Sequence, residues 1–82
     1  MRIPIQHEIA LVGLLQQAPY NALPKPIQYG VQYVLESGVI CNFQHSQKTP
    51  DEFKFYVQNH AANLQQAQVI EELALRIAIP DS

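Results

Sequence analysis

The feature that most constrains the fold is a segment that begins with Thr49-Pro50-Asp51-Glu52 and meets no further proline until Pro80. Thr49 can cap the free amides of a helix, Pro50 suits the first helical position, and Glu52 can complete a capping box. An unbroken helix between the two prolines would be about 44 Å long, which is longer than a domain of this size is wide. The sequence therefore predicts a helix that bends or that projects toward a partner.

A helical seam runs through this segment, because selected residues recur at alternating spacings of four and three. The residues of the seam are Phe53, Val57, His60, Leu64 and Ala67. Asn59 and Asn63 interrupt it, and asparagine is a poor helix former because its side chain competes for backbone hydrogen bonds. We therefore predict a break near residues 58–64 and two helices, over about residues 50–60 and 63–79.

A first helix is predicted over about residues 4–17, since it can open near Pro4 and must end before Pro19. Its circumference is mostly apolar and carries Ile9, Leu11, Val12, Leu14 and Leu15. A helix that is apolar nearly all round is typical of the middle of a fold. We expect this helix to be the buried spine around which the C-terminal helices wrap.

The segment that follows Pro26 has two interpretations, and they lead to different fold classes. With a period of 3.6 it forms an apolar stripe of Ile27, Val31, Val34 and Leu35. With a period of two it alternates like a strand that turns at Ser37-Gly38 and returns as a second strand. Pro26 and Gly38 lie where proline and glycine flank helices, and Gly30 would weaken a strand, so we favour a helix over about residues 26–37.

The predicted fold class is all-α, a bundle of about four helices over residues 4–17, 26–37, 50–60 and 63–79. The alternative is an α+β fold with a β-hairpin at residues 27–43. The chain has 82 residues, of which 48% are hydrophobic, so we expect a single folded domain over residues 1–82. At this size only about 60% of the unfolded surface is buried on folding, and a second protomer would add stability.

Charge and cysteine content limit the classes of partner and compartment. The five basic residues are scattered and outnumbered by seven acidic ones, so binding to nucleic acid is disfavoured. Cys41 is the one cysteine of the sequence, which excludes an internal disulfide and is typical of a reducing compartment. The apolar run at residues 9–15 is too short to span a membrane. We expect a cytoplasmic protein that does not enter a membrane.

The sequence contains no pattern that points to catalysis, a metal or a cofactor. His7, His45 and His60 lack the paired ligands that are typical of helical zinc sites. Cys41 has no base at a recognisable spacing, and a lone cysteine is usually a small buried hydrophobe. We predict that the protein is not an enzyme, with no cofactor. A distant alternative is an enzyme subunit that contributes Cys41 or His60 to a shared active site.

Two groups of residues are candidates for binding a partner. Tyr29 and Tyr33 would be neighbours one turn apart on the predicted second helix, and paired tyrosines are frequent in protein contact surfaces. Val69, Leu75 and Ile79 lie on a side of the C-terminal helix that also carries polar residues, so this helix has more apolar surface than one buried side requires. The sequence predicts a protein–protein interaction module (adaptor, inhibitor or chaperone-like) that forms a homodimer through its C-terminal helix.

A small DNA-binding regulator of the helix-turn-helix type is the alternative function. The predicted order of a helix, a connector, a second helix and a short apolar run at residues 39–43 resembles that motif in outline. The second helix would carry Gln28, Gln32 and Glu36 but no arginine or lysine to hold the phosphate backbone. Salt-sensitive binding to duplex DNA would support this alternative.

Overall fold

The computed structural model describes residues 1–80 as an antiparallel β-sheet with two α-helices packed on one of its faces. Within these residues the sheet has five strands: β1 (Arg2–Pro4), β2 (Leu23–Ile27), β3 (Gly30–Val34), β4 (Ile40–Gln44) and β5 (Glu52–Gln58). Their order across the sheet is β1-β5-β4-β3-β2. Helix α1 (Glu8–Gln16) follows β1, and helix α2 (Leu64–Ile77) follows β5. The predicted domain, 1–82, extends beyond the described part of the chain.

The predicted all-α bundle is therefore wrong, and the α+β alternative with a hairpin at residues 27–43 is closer to the structure. The helices predicted at 4–17 and 63–79 correspond to α1 and α2. The helices predicted at 26–37 and 50–60 are strands instead. Two of the four predicted helices thus exist, and the five strands form the sheet on which they pack.

Strand β5 forms where the first part of the helical seam was expected. Phe53, Phe55 and Val57 are buried, whereas Lys54 and Tyr56, which alternate with them, are exposed. Aromatic and β-branched residues favour strands, and the alternation places all the apolar side chains on one face. The spacing of four between Phe53 and Val57 suits a helix and a strand equally, so it could not decide between them.

The Thr49-Pro50-Asp51-Glu52 sequence is a turn rather than a helix start. The backbone N–H of Glu52 donates to the carbonyl oxygen of Thr49 at 3.3 Å, which is the hydrogen bond that closes a β-turn. Proline is favoured at the second position of common β-turns, where Pro50 lies. The same residues that can cap a helix therefore lead the chain into β5.

Gly30, which argued against a strand, is required by the pairing of β3 with β4. A Cβ atom at this position would lie 1.8 Å from the carbonyl oxygen of Phe43. Glycine is therefore necessary here because the two backbones approach too closely for any side chain. The β2–β3 hairpin turns immediately before it, through Gln28 and Tyr29.

The core lies between the sheet and the two helices. Phe43 is at its centre, and the rings of Tyr33, Phe53 and Phe55 surround it at centroid distances of 5.1–5.3 Å. Both helices contribute to this one core, with Leu11 and Leu15 from α1 and Ala67, Ile70 and Ala74 from α2. The N-terminal helix is not the buried spine that was predicted, because the sheet rather than α1 forms the centre of the fold.

Both outer edges of the sheet are poorly suited to pairing with another strand. Strand β2 carries Pro24 and Pro26, which lack the amide N–H that a further strand would need. At the opposite edge, the N–H of Ile79 donates to the carbonyl oxygen of Arg2 at 2.8 Å, so the segment after α2 covers β1. A partner is therefore expected on a face of the molecule and not at a sheet edge.

Candidate functional site

The two predicted tyrosines lie in different surroundings and are not neighbours on a helix. Tyr29 lies in the turn between β2 and β3, is 66% exposed, and lines a depression of about 590 Å³ with Lys48 and Lys54. Tyr33 lies on β3, half-buried and facing the helices, with its ring edge-on to Phe43. Burial raises the pKa of Tyr33, and the negative charge of Glu8 raises it further. The structure therefore places only Tyr33 beside α1.

The three candidates from the C-terminal segment do not share one surface. Val69 and Leu75 are both exposed on α2, at 39% and 63%, but their spacing of six residues places them about 120° apart around the helix. Leu64 lies on the same side as Leu75 but about three turns away along α2. Ile79 is half-buried after α2 and belongs to the segment that covers β1. The exposed apolar residues of α2 are therefore isolated from one another.

Helix α1 carries the most exposed apolar residue of the two helices. Leu11 and Leu15 point into the core, whereas Ile9, on the opposite side of the helix, is 86% exposed. Val12 is half-buried, and Glu8 is the one charged residue of α1. Sequence reasoning missed this surface because it assigned a helix that is apolar all round to the buried centre of the fold.

A groove of about 500 Å³ runs between α1 and the neighbouring part of the sheet. One wall consists of Ile9, Val12 and Gly13 from α1, and Val31 and Tyr33 from β3 line the other side. We call this depression the α1 groove. Its lining is largely apolar and contains an aromatic ring, and both properties are typical of binding surfaces.

The one carboxylate that lines the α1 groove makes a side-chain contact with a histidine. The Glu8 carboxylate contacts the imidazole Nε2 of His45, which follows β4. Glu8 also lies in the first turn of α1, where the positive end of the helix dipole favours a carboxylate. The contact ties the start of α1 to the end of β4.

Gly13 is not required by the packing of its own chain. A Cβ atom built on Gly13 would meet nothing within 4 Å. Glycine in a helix interior is less favourable than alanine by about 1 kcal/mol, so this position carries a cost that no internal contact explains. Its effect is to leave the wall of the α1 groove open one turn after Ile9.

The face of the sheet that is not covered by helices is polar along its middle. Lys25, Gln32, Asn42 and Tyr56 form a row across β2, β3, β4 and β5. Asn42 is fully buried within this row, and its amide nitrogen donates to the Oε1 atom of Gln58 at 2.9 Å. The Asn42 and Gln58 side chains therefore bind each other, and the polar row separates the apolar residues at the two ends of the strands.

The residues considered for catalysis are not arranged as a reactive site. Cys41 is fully buried, and burial together with the negative charge of Glu71 raises its pKa to about 12. Its thiol is therefore uncharged at neutral pH, whereas nucleophilic cysteines are exposed thiolates. His60 lies on the surface, with its Nε2 atom 3.2 Å from the Glu71 carboxylate. That the protein is not an enzyme stays a prediction.

Three further findings concern metals, membranes and relatives. Within residues 1–80, no group of three or more histidine, cysteine, aspartate or glutamate side chains could hold a metal ion. Neither α1 nor α2, the helices of the described part, combines the length and apolar character that crossing a lipid bilayer requires. The chain matches no protein-family model, no curated protein and no solved structure.

Proposed function

We propose that the protein is a small protein–protein interaction module that binds its partner through the α1 groove and the adjacent Ile9 side chain. The observation that carries this proposal is the 86% exposure of Ile9 beside an apolar groove. Covering an exposed isoleucine contributes about 1.5–3 kcal/mol, which the isolated chain does not gain. A partner that covers Ile9 and fills the groove would gain this free energy.

The charge distribution supports a protein partner at this surface. The centres of protein interfaces are depleted of charged residues and enriched in aromatic ones. The α1 groove fits this description, because Tyr33 lines it and its one carboxylate, that of Glu8, contacts His45. Docking there would remove few unpaired charges from water, and the desolvation cost would be low.

A homodimer through the C-terminal helix is a second version of the same function. It would use Val69, Leu75 and Ile79, which are spread over different sides of α2 and the segment after it. The helix-turn-helix alternative lacks a basis in the fold, because the segment assigned to its recognition helix forms the β2–β3 hairpin. The α1 groove therefore supports the proposed function better than either.

Site-specific photo-crosslinking in cells that produce the protein tests this proposal. A photoreactive amino acid at position 9 should form covalent adducts with a partner protein, whereas the same group at position 75 on α2 or position 56 on the sheet should not. The adducts should disappear when Gly13→Leu fills the groove of the same chain. Position 9 is suitable because Ile9 is exposed and its replacement removes no core contact.

The controls give the proposal a clear way to fail. If position 9 yields no more adduct than position 56, the α1 groove is not a binding surface in those cells. If adducts form only from position 75, the interface lies on α2 and the second version replaces the first. If the adducts from position 9 still form in the Gly13→Leu variant, the partner contacts α1 but does not occupy the groove.

A further inference from the structure

We propose that the occupant of the α1 groove is a second copy of this chain, with Ile9 of each protomer inserted beside Gly13 of the other. This inference rests on the proposed function and adds the identity of the partner. It follows from three properties of the α1 surface: its shape, its small number of charged residues, and the presence of a glycine that the fold does not require.

The shape of the surface is complementary to itself. Ile9 projects into solvent, and Gly13, one turn later on the same side of α1, opens a recess where a Cβ atom would meet nothing within 4 Å. In a twofold dimer every contact is made twice. If residue i of one protomer contacts residue j of the other, then residue j of the first also contacts residue i of the second. A surface that pairs with itself must therefore carry a projecting group and a matching recess, and this one carries both.

The charge pattern distinguishes α1 from the other faces. Near a twofold axis a surface meets its own copy, so a charged face opposes like charges. The open face of the sheet carries Lys25 and Lys54, and the exposed side of α2 carries Glu71, Glu72 and Arg76. Helix α1 carries one charged residue, Glu8, whose carboxylate contacts His45 as that of Glu71 contacts His60. A twofold contact through α1 therefore opposes fewer charges than a contact through either of the other faces.

Gly13 gives the crossing point of the two helices. Packed helices lie about 8–10 Å apart, and a small residue at the contact lets their backbones approach most closely. Glycine is a poor choice for the interior of a helix unless something must approach it closely. Nothing in the same chain approaches Gly13 within 4 Å of a Cβ position, so the space is available to a side chain of another molecule.

The size of the surface sets the expected affinity. A standard interface buries about 800 Å² on each partner, which would be about 15% of the 5388 Å² surface of this chain. Helix α1 is about 14 Å long, so an interface built around it lies at the small end of the known range. We therefore expect a reversible dimer with a Kd in the micromolar range.

Analytical ultracentrifugation over about a thousandfold range of concentration tests the inference. The unaltered chain should pass from monomer to dimer. Ile9→Ala should raise the dimer Kd by about 100-fold or more, because each dimer loses two isoleucine contacts. Gly13→Leu should also abolish dimerisation while leaving the melting temperature equal or higher, since leucine is a better helix former and the recess is open in the monomer. Leu75→Ala on α2 is the matched control and should leave the Kd unchanged.

The other outcomes would overturn the inference in distinguishable ways. A monomer at every concentration, together with crosslinks from position 9 to a different protein, would refute self-association but leave the proposed function intact. A dimer that Leu75→Ala weakens and Ile9→Ala does not would place self-association on α2 and refute the inference, while crosslinks from position 9 to a different protein would still support the proposed function. A dimer that neither substitution affects would place the interface away from both helices and refute the inference, and the absence of crosslinks from position 9 would refute the proposed function as well.

Discussion

Helices α1 and α2 pack on the same face of the sheet but use their surfaces in different ways. α2 is amphipathic, since it buries Ala67, Ile70 and Ala74 and turns glutamine and glutamate side chains toward solvent. α1 is apolar on nearly every side, yet it buries only Leu11 and Leu15 and leaves Ile9 exposed. The comparison shows that apolar composition alone does not determine how much of a helix is covered. Surface that the fold leaves uncovered is then available for a partner.

The largest expected effect on stability comes from removing the buried side chains that attach each helix to the core. Leu15→Ala on α1 and Ile70→Ala on α2 should each lower the free energy of unfolding by about 2–5 kcal/mol, because both side chains are fully buried. Urea denaturation of the purified variants measures this. A much smaller loss for Leu15→Ala would show that α1 is loosely attached, and its exposed side could then not serve as a fixed binding surface.

A smaller effect distinguishes the starts of the two helices. The side-chain oxygen of Asn63 accepts a hydrogen bond from the Gln66 N–H at 3.0 Å and caps α2, whereas His7 makes no such bond at the start of α1. Asn63→Ala should therefore cost about 1 kcal/mol of stability, and His7→Ala should cost less. Thermal melts of both variants provide the measurement. An equal loss would mean that capping does not distinguish the helices.

Replacement of Gly13, the glycine of α1, should raise the free energy of unfolding instead of lowering it. Gly13→Ala should raise the free energy of unfolding by up to about 1 kcal/mol, because alanine favours the helix and has open space at this position. The matched change on α2, Ala74→Gly, should lower stability because Ala74 is fully buried. Chemical denaturation at low protein concentration separates these effects from association. Destabilisation by Gly13→Ala would show that the recess is filled in the folded chain.

The buried Cys41 thiol should make the stability of the protein depend on pH only at high pH. Its pKa is raised from 9.0 to about 12 because burial, with the charge of Glu71, disfavours the thiolate. A raised pKa contributes stability that is complete below pH 9 and is lost as the pH rises toward 12. Stability should therefore fall over this range in the unaltered chain and fall less in Cys41→Ala. If the stability of both chains depends on pH in the same way, the Cys41 thiol is not the group that causes the loss.

Part of the fold could be predicted from the sequence, and the errors have physical causes. The helical periods of residues 64–77 and the apolar run at residues 8–16 identify α2 and α1. The strands were missed because local signals were shared between structures: Phe53 and Val57 fit both periods, and Thr49-Pro50 suits both a helix start and a turn. Gly30 was read as weakening a strand, whereas only the tertiary pairing with β4 shows why glycine is necessary.

The candidate site could be predicted less well, because it depends on which side of α1 the sheet covers. The sequence shows that Ile9 and Leu11 are both apolar, but not that one is exposed and the other buried. Tyr33 was identified as a contact residue from a helical interpretation, and it lines the α1 groove as a strand residue instead. Val69 and Leu75 were correctly placed on a helix, but they lie on different sides of it.

Dilution of an isotopically labelled sample, followed by NMR spectroscopy, locates the self-association surface most directly. If two copies meet through α1, the signals of Ile9, Gly13, Val31 and Tyr33 should shift with concentration, and those of Leu64 and Leu75 on α2 should stay constant. The midpoint of the shifts should match the Kd from ultracentrifugation. Shifts confined to α2 or to the open face of the sheet, or no shifts at any concentration, would contradict the proposal that α1 is the contact surface between two copies.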